Sequence, residues 1–337
     1  MTGGSAGVMT STPTKIDIVS GISVRAEKSA GDLHPDARFF GRLRETFGDH
    51  ALRLAIGPLH MRLEGLSSVQ YAALGERFSP FLDGDDPGSP DSDATIRLHP
   101  AGVVSFLASP RPGQAEIYRM ESRRQDGRLA IWSYEFAGWL DAATRSGGLA
   151  LVSDGGALFD RGLENFLRVM TASFILDRGG LLLHAAGVAR HGRAYIFFGP
   201  SGSGKTTVAN LSPLDTVLSD DLTLVVPHDG AFQAAGIPFG MAHHRVPQTG
   251  AAFPIAGLFR LVQSGTVERE PLGGGRALAE IGANLPFVMR ETGQAERAIA
   301  NAEALLRRVP AWTLRFTRED RFWNVIEAGT SLRIQEA

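Results

Sequence analysis

The 337-residue chain contains no cysteine. That excludes disulfides, thiolate metal sites and a cysteine nucleophile, and it predicts a cytoplasmic setting. Lysine is nearly absent too: of 34 basic residues only Lys15, Lys28 and Lys205 are lysine. Charge of one sign is not in excess. The formal net charge of −2 excludes a general attraction to nucleic acid or acidic membranes. No apolar run approaches the roughly 20 residues needed to cross a bilayer, so no membrane partner is expected. Residues 1–14 are rich in Gly, Ser and Thr, lack a basic-then-apolar signal pattern, and read as a disordered tail. No repeat of fixed period is present. What remains is the balance of a globular protein, 43% apolar and 21% charged, long enough for one large or two ordinary domains.

The chain changes character near its middle. Residues 15–155 read as a β-rich accessory or recognition domain. Segments 52–56 and 59–63 alternate apolar and polar side chains with period two, the mark of half-buried strands. Residues 67–81 suggest a short helix, and 83–93, dominated by Asp, Pro and Gly, an exposed loop. Further strands are expected at 94–98, 103–107, 115–120, 129–136 and 149–153. Residues 156–330 read as an α/β domain. Segment 157–178 has apolar residues at helical spacing and ends at Gly179-Gly180. Short apolar runs at 181–188 and 194–198 predict two buried strands joined by a polar turn, with His184 ending the first. Residues 277–285 and 291–308 read as helices, and Gly273 to Arg276 as a mobile loop or linker.

One motif carries chemistry. After the strand 194–198 come Gly199, Pro200, Ser201, Gly202, Ser203, Gly204, Lys205 and Thr206, then Thr207 within a short helix. This is G-x-x-x-x-G-K-[ST] in its required setting, strand before and helix after. Glycines let successive backbone N–H groups turn inward toward phosphate oxygens. Lysine supplies a compact, flexible charge that the planar fork of arginine does not replace. The motif therefore predicts ATP binding, with Lys205 on the β- and γ-phosphates and the Thr206 hydroxyl on Mg²⁺. Asp220 lies 15 residues beyond Lys205 and is followed by Asp221, at the end of an apolar strand. Two acids beside a phosphate loop can hold Mg²⁺ and also orient or deprotonate a nucleophile. Arg245, in the run His243-His244-Arg245, is a candidate for neutralising the transferred charge. Adjacent histidines on a strand face opposite sides, so that pair is a poor joint metal site.

The order Leu-His-Ala-Ala-Gly-Val, polar turn, strand, Gly-Pro-Ser-Gly-Ser-Gly-Lys-Thr, short helix, Ser-Asp-Asp resembles the catalytic domain of HPr kinase/phosphorylase and its relatives. His184 and Lys205 are 21 residues apart, as in that family. The resemblance covers about residues 158–327. It extends to a terminal strand at 309–316 and a helix containing Phe322 and Trp323. It implies a phosphate-loop kinase fold shared with ATP-dependent phosphoenolpyruvate carboxykinase. It also implies that one aspartate of the pair serves as acid/base on an acceptor hydroxyl, helped by His184, while the other holds Mg²⁺. The family's glutamate-containing signature is missing from 236–245, and Thr207 stands where an acid is usual. The implied acceptor is therefore a serine of a peptide or protein other than HPr. A silent nucleotide-binding adapter and a small-molecule kinase are the alternatives. The oligomeric family enzyme makes a homo-oligomer one expectation for this chain.

Overall fold

A computed structural model describes residues 35–84, 92–103, 105–107, 119–125, 127–212, 215–239, 250–289 and 292–334. Among them the chain is a mixed α/β protein with two sheets and seven α-helices.

The first half builds a seven-stranded sheet. Helix α1 (Ala37–Arg42) leads to the hairpin β1 (His50–Ile56) and β2 (Leu59–Leu66). Their alternating patterns bury Leu52, Leu54, Met61 and Leu63 on one face, as period two requires. Helix α2 (Ser68–Arg77) starts at a capping box in which Ser67 and Gln70 satisfy each other's backbone N–H groups. Then follow β3 (Ala94–Pro100), β4 (Glu121–Gln125), β5 (Arg128–Trp132), β6 (Phe136–Asp141) and β7 (Ser146–Leu151), in the spatial order β1-β2-β3-β7-β6-β5-β4.

Helix α3 (Gly156–Asp177) comes next and packs on β2, β6 and β7 on one side and on strand β8 (Leu181–Arg190) on the other. Its apolar residues, among them Phe166 and Leu167, join Leu63 and Leu149 of the first sheet to Leu182 of the second in one continuous core. Contact is closest at Gly138 of β6, where a Cβ would fall 2.2 Å from the Phe166 ring. Only glycine allows that approach.

The second sheet holds β8, β9 (Arg193–Phe198), β10 (Thr216–Ser219), β11 (Leu222–His228), β12 (Ala231–Ala235), β13 (Ala252–Gln263), β14 (Glu268–Pro271) and β15 (Ala311–Phe316). Strands β9, β13 and β15 run parallel, with Phe198 level with Arg260 and Phe316 level with Gln263. Helix α4 (Lys205–Asn210) follows β9, while α5 (Gly274–Ala283), α6 (Thr292–Leu306) and α7 (Phe322–Ile334) lie later in the chain. A second apolar cluster, including Tyr195, Phe197, Val208, Phe316 and Trp323, packs α4 and α7 onto this sheet.

Several sequence expectations need correcting. Residues 103 and 105–107 form no strand. Phe106 and Leu107 are buried by packing within an irregular segment, whose Phe106 N–H bonds the Tyr134 carbonyl. Residues 119 and 120 are likewise irregular, and 115–118 lie outside the described residues. The run 129–136 is two strands, because residues 133–135 turn the chain. His184 does not end its strand: β8 continues through Arg190. Gly274 and Gly275 open helix α5 rather than a loop, since Ala277 and Ile281 are buried and tertiary packing overrides glycine's poor helix propensity.

Candidate functional site

Strand β8 organises the site. Residues 185–190 pair antiparallel with β9, whose end runs into the glycine-rich loop. The stretch through β10 and β11 pairs with β8 in two pieces, 216–219 against 187–189 and 222–225 against 181–184. Asp220 and Asp221 fall between the pieces, as the turn at the level of Ala185 and Ala186. Loop and acid pair thus reach the same stretch of one strand. The turn is held by the Ser219 hydroxyl, which accepts from the N–H groups of Asp221 and Leu222.

The loop has the backbone its glycines predict. Gly199, Gly202 and Gly204 have φ of +148°, +77° and +109°. A Cβ on Gly204 would lie 2.5 Å from the Phe316 ring beneath it. Ser203 N–H bonds the Pro200 carbonyl at 3.1 Å. Lys205 is buried, and its Nζ donates to the carbonyls of Gly199 at 3.0 Å and Pro200 at 3.4 Å. The Ser203 hydroxyl is buried with no hydrogen-bond partner among the described residues. Thr206 is exposed at the head of α4, and Thr207 half-buried.

His184 and Asp221 meet. Nε2 of His184 lies 3.2 Å from Oδ1 of Asp221, and the side chains are 23% and 13% exposed, sheltered yet reachable from solvent. Burial pushes the Asp221 carboxyl upward. The His184 hydrogen bond and the charges of Arg168, His184 and Lys205 outweigh it and hold Asp221 below the ordinary carboxylate value. Burial lowers Lys205, and the Asp221 charge partly restores it. The structure therefore brings Lys205, Asp221 and His184 into one electrostatic cluster. Asp220 sits half-buried in the same turn. Arg245, with His243 and His244, lies outside the described residues.

Three neighbours escaped the sequence reading. Arg168 of α3 is buried, bonds Asn165 at 3.1 Å, lies 3.7 Å from Glu164, and has an Nε with no hydrogen-bond partner among the described residues. Glu164 also pairs with Arg77 of α2, which lies 3.1 Å from Asp160. Burial raises Glu164 above the usual carboxylate range against the pull of both arginines. A Glu/Arg pair four residues apart within a helix rich in apolar residues was the available signal. Asn284, after α5, accepts the His184 backbone N–H through its own carbonyl at 2.8 Å. Gln263 of β13 donates to the Gly202 carbonyl at 2.7 Å. Neither of these last two carries a sequence mark.

Among the described residues no group of three or more His, Cys, Asp or Glu is placed to hold a metal ion, and no helix is long and apolar enough to cross a membrane.

The family model described as SynChlorMet cassette protein ScmC matches residues 166–331, just under half of the chain. That span contains the loop, the acid pair and His184. No curated protein matches the chain. Among solved structures, the Hpr(Ser) kinase/phosphatase from Coxiella burnetii aligns with 46% of this chain and 97% of its own. The identity is 8% and the TM-score 0.27, too loose a superposition to bear on fold or activity.

Proposed function

We propose that this protein is an ATP-dependent phosphotransferase that moves the γ-phosphoryl group to a hydroxyl, in first place a serine of a peptide or protein. The observation that carries the reading is the convergence of Lys205 with the Asp221–His184 pair at one stretch of β8. The loop residues Gly199 to Thr207 bind the polyphosphate, with Lys205 exchanging its carbonyl partners for phosphate oxygens. The depressed Asp221 carboxyl stays ionised and accepts the acceptor's proton while His184 fixes its orientation. The acceptor oxygen bonds to the γ-phosphorus as the bond from that phosphorus to the β–γ bridging oxygen breaks, and ADP leaves. Proton acceptance by so weak a base suits a loose transition state, in which the attacking hydroxyl is deprotonated late.

The donor set suits Mg²⁺. Thr206 and Asp220, with Asp221 alongside, offer the hard oxygen ligands this ion prefers, and it commonly completes its shell with water and substrate phosphates. The buried Ser203 hydroxyl, without a hydrogen-bond partner among the described residues, is a further oxygen within the loop. When bound, Mg²⁺ would neutralise phosphate charge. Arg245 is proposed to neutralise transferred charge.

The test is transfer of label from γ-labelled ATP to serine-containing peptides by the full chain. Labelling that disappears in Asp221→Asn supports the reading. Nucleotide binding without transfer to any peptide, protein or small alcohol would leave a nucleotide sensor instead.

A further inference from the structure

Gln263 is the last residue of β13, and β13 outruns its neighbour β9. The final rung between them is Arg260 with Phe198, so Gln263 lies three residues on, level with the loop. On its other side Gln263 is in register with Phe316, the ring on which Gly204 rests. Its Nε2 donates to the Gly202 carbonyl at 2.7 Å. The N–H of the same peptide unit, that of Ser203, bonds the Pro200 carbonyl at 3.1 Å. A peptide unit is planar, so bonds at both its ends fix the orientation of the whole plane. Gly202 is exposed and adopts a φ of +77°, a conformation that glycine does not hold by itself. Without the glutamine the crest of the loop would be tied on one side only.

We propose that Gln263 is a positioning residue for the nucleotide: by tying Gly202 to the end of β13 it sets the loop's backbone amides for polyphosphate before the ligand arrives. This rests on the reading of the loop as the nucleotide site. Preorganisation of this kind raises affinity by removing the cost of ordering the loop on binding.

Two variants test it in the full chain. Gln263→Met keeps the length and loses the donor, and Gln263→Asn keeps a donor that is too short to reach. Titration calorimetry with Mg-ATP should show both binding about threefold to tenfold more weakly, the worth of one hydrogen bond. Hydrogen exchange at the amides of 202–204, measured without nucleotide, should quicken in both. The side chain is exposed, so the thermal midpoint should stay at the wild-type value, which a merely structural role would lower. Wild-type affinity in both variants, or unchanged exchange at those amides, overturns the inference while leaving the loop reading intact. A wild-type chain that takes up no Mg-nucleotide overturns the loop reading, and this inference with it.

Discussion

Replacing Gly204 with alanine should damage both the fold and the nucleotide site. Gly204 caps α4 with φ +109°, where a side chain costs about 1–2 kcal/mol of backbone strain. The new Cβ would also lie 2.5 Å from Cζ of Phe316. That ring is 2% exposed and stands edge-on to Phe322 at 6.1 Å, so it has little room to retreat. Overpacking of this type costs about 1–3 kcal/mol. The sum is about 2–5 kcal/mol. At about 2 °C per kcal/mol for a long chain, the thermal midpoint should fall by roughly 4–10 °C. Scanning calorimetry reads the loss, and titration with Mg-ATP reads the site. Gly202→Ala is the control: its φ is +77° but nothing lies within 4 Å of the added Cβ, so only the strain should appear. Adding Phe316→Leu to Gly204→Ala should recover part of the clash and none of the strain. Wild-type stability and binding in Gly204→Ala would refute the packing of the loop on β15.

Asp221→Asn keeps a partner for His184 but cannot take a proton; transfer should drop about 10²- to 10⁴-fold while Mg-ATP affinity is largely retained, as single-turnover kinetics and calorimetry will read. Arg77→Met should destabilise the protein by about 1–3 kcal/mol in urea unfolding, because it removes one partner from buried Glu164. Adding Glu164→Gln should return much of that loss. His99 supplies the pH dependence. Burial lowers its folded pKa below the ordinary 6.5, the Arg97 charge adds to this, and the hydrogen bond to the Glu45 carbonyl opposes it. The unfolded chain then binds more protons, so stability rises with pH through that window. The contribution of His99 is present above its unfolded value near 6.5 and is lost as pH falls through the folded one. The thermal midpoint should decline on acidification below about pH 6.5, and less steeply in His99→Gln.

Much of this arrangement was legible in the sequence because local patterns specify it. The alternation in 52–63, the helical spacing of 157–178 and the strand–loop–helix around Lys205 each fix an element within its own span. Meeting points were harder. That His184 touches Asp221 depends on a register across β8 and β11 that no local signal encodes. The short apolar run was read with His184 at its end, yet β8 runs on because β9 and β10 continue to pair with it. The segment holding Phe106 and Leu107 read as a strand since apolar residues signal burial, not its geometry. Gln263 and Asn284 contribute through a strand's overhang and a backbone carbonyl, features that exist only once the sheet is assembled.

Magnesium-bound ATP is proposed to occupy the Gly199–Thr206 turn beside a carboxylate that works on the acceptor. Calorimetric titration of the full chain with Mg-ATP reads this occupancy. Uptake should saturate, be lost in Lys205→Ala and be retained in Asp221→Asn. No heat of binding at millimolar nucleotide, or undiminished uptake by Lys205→Ala, would contradict it.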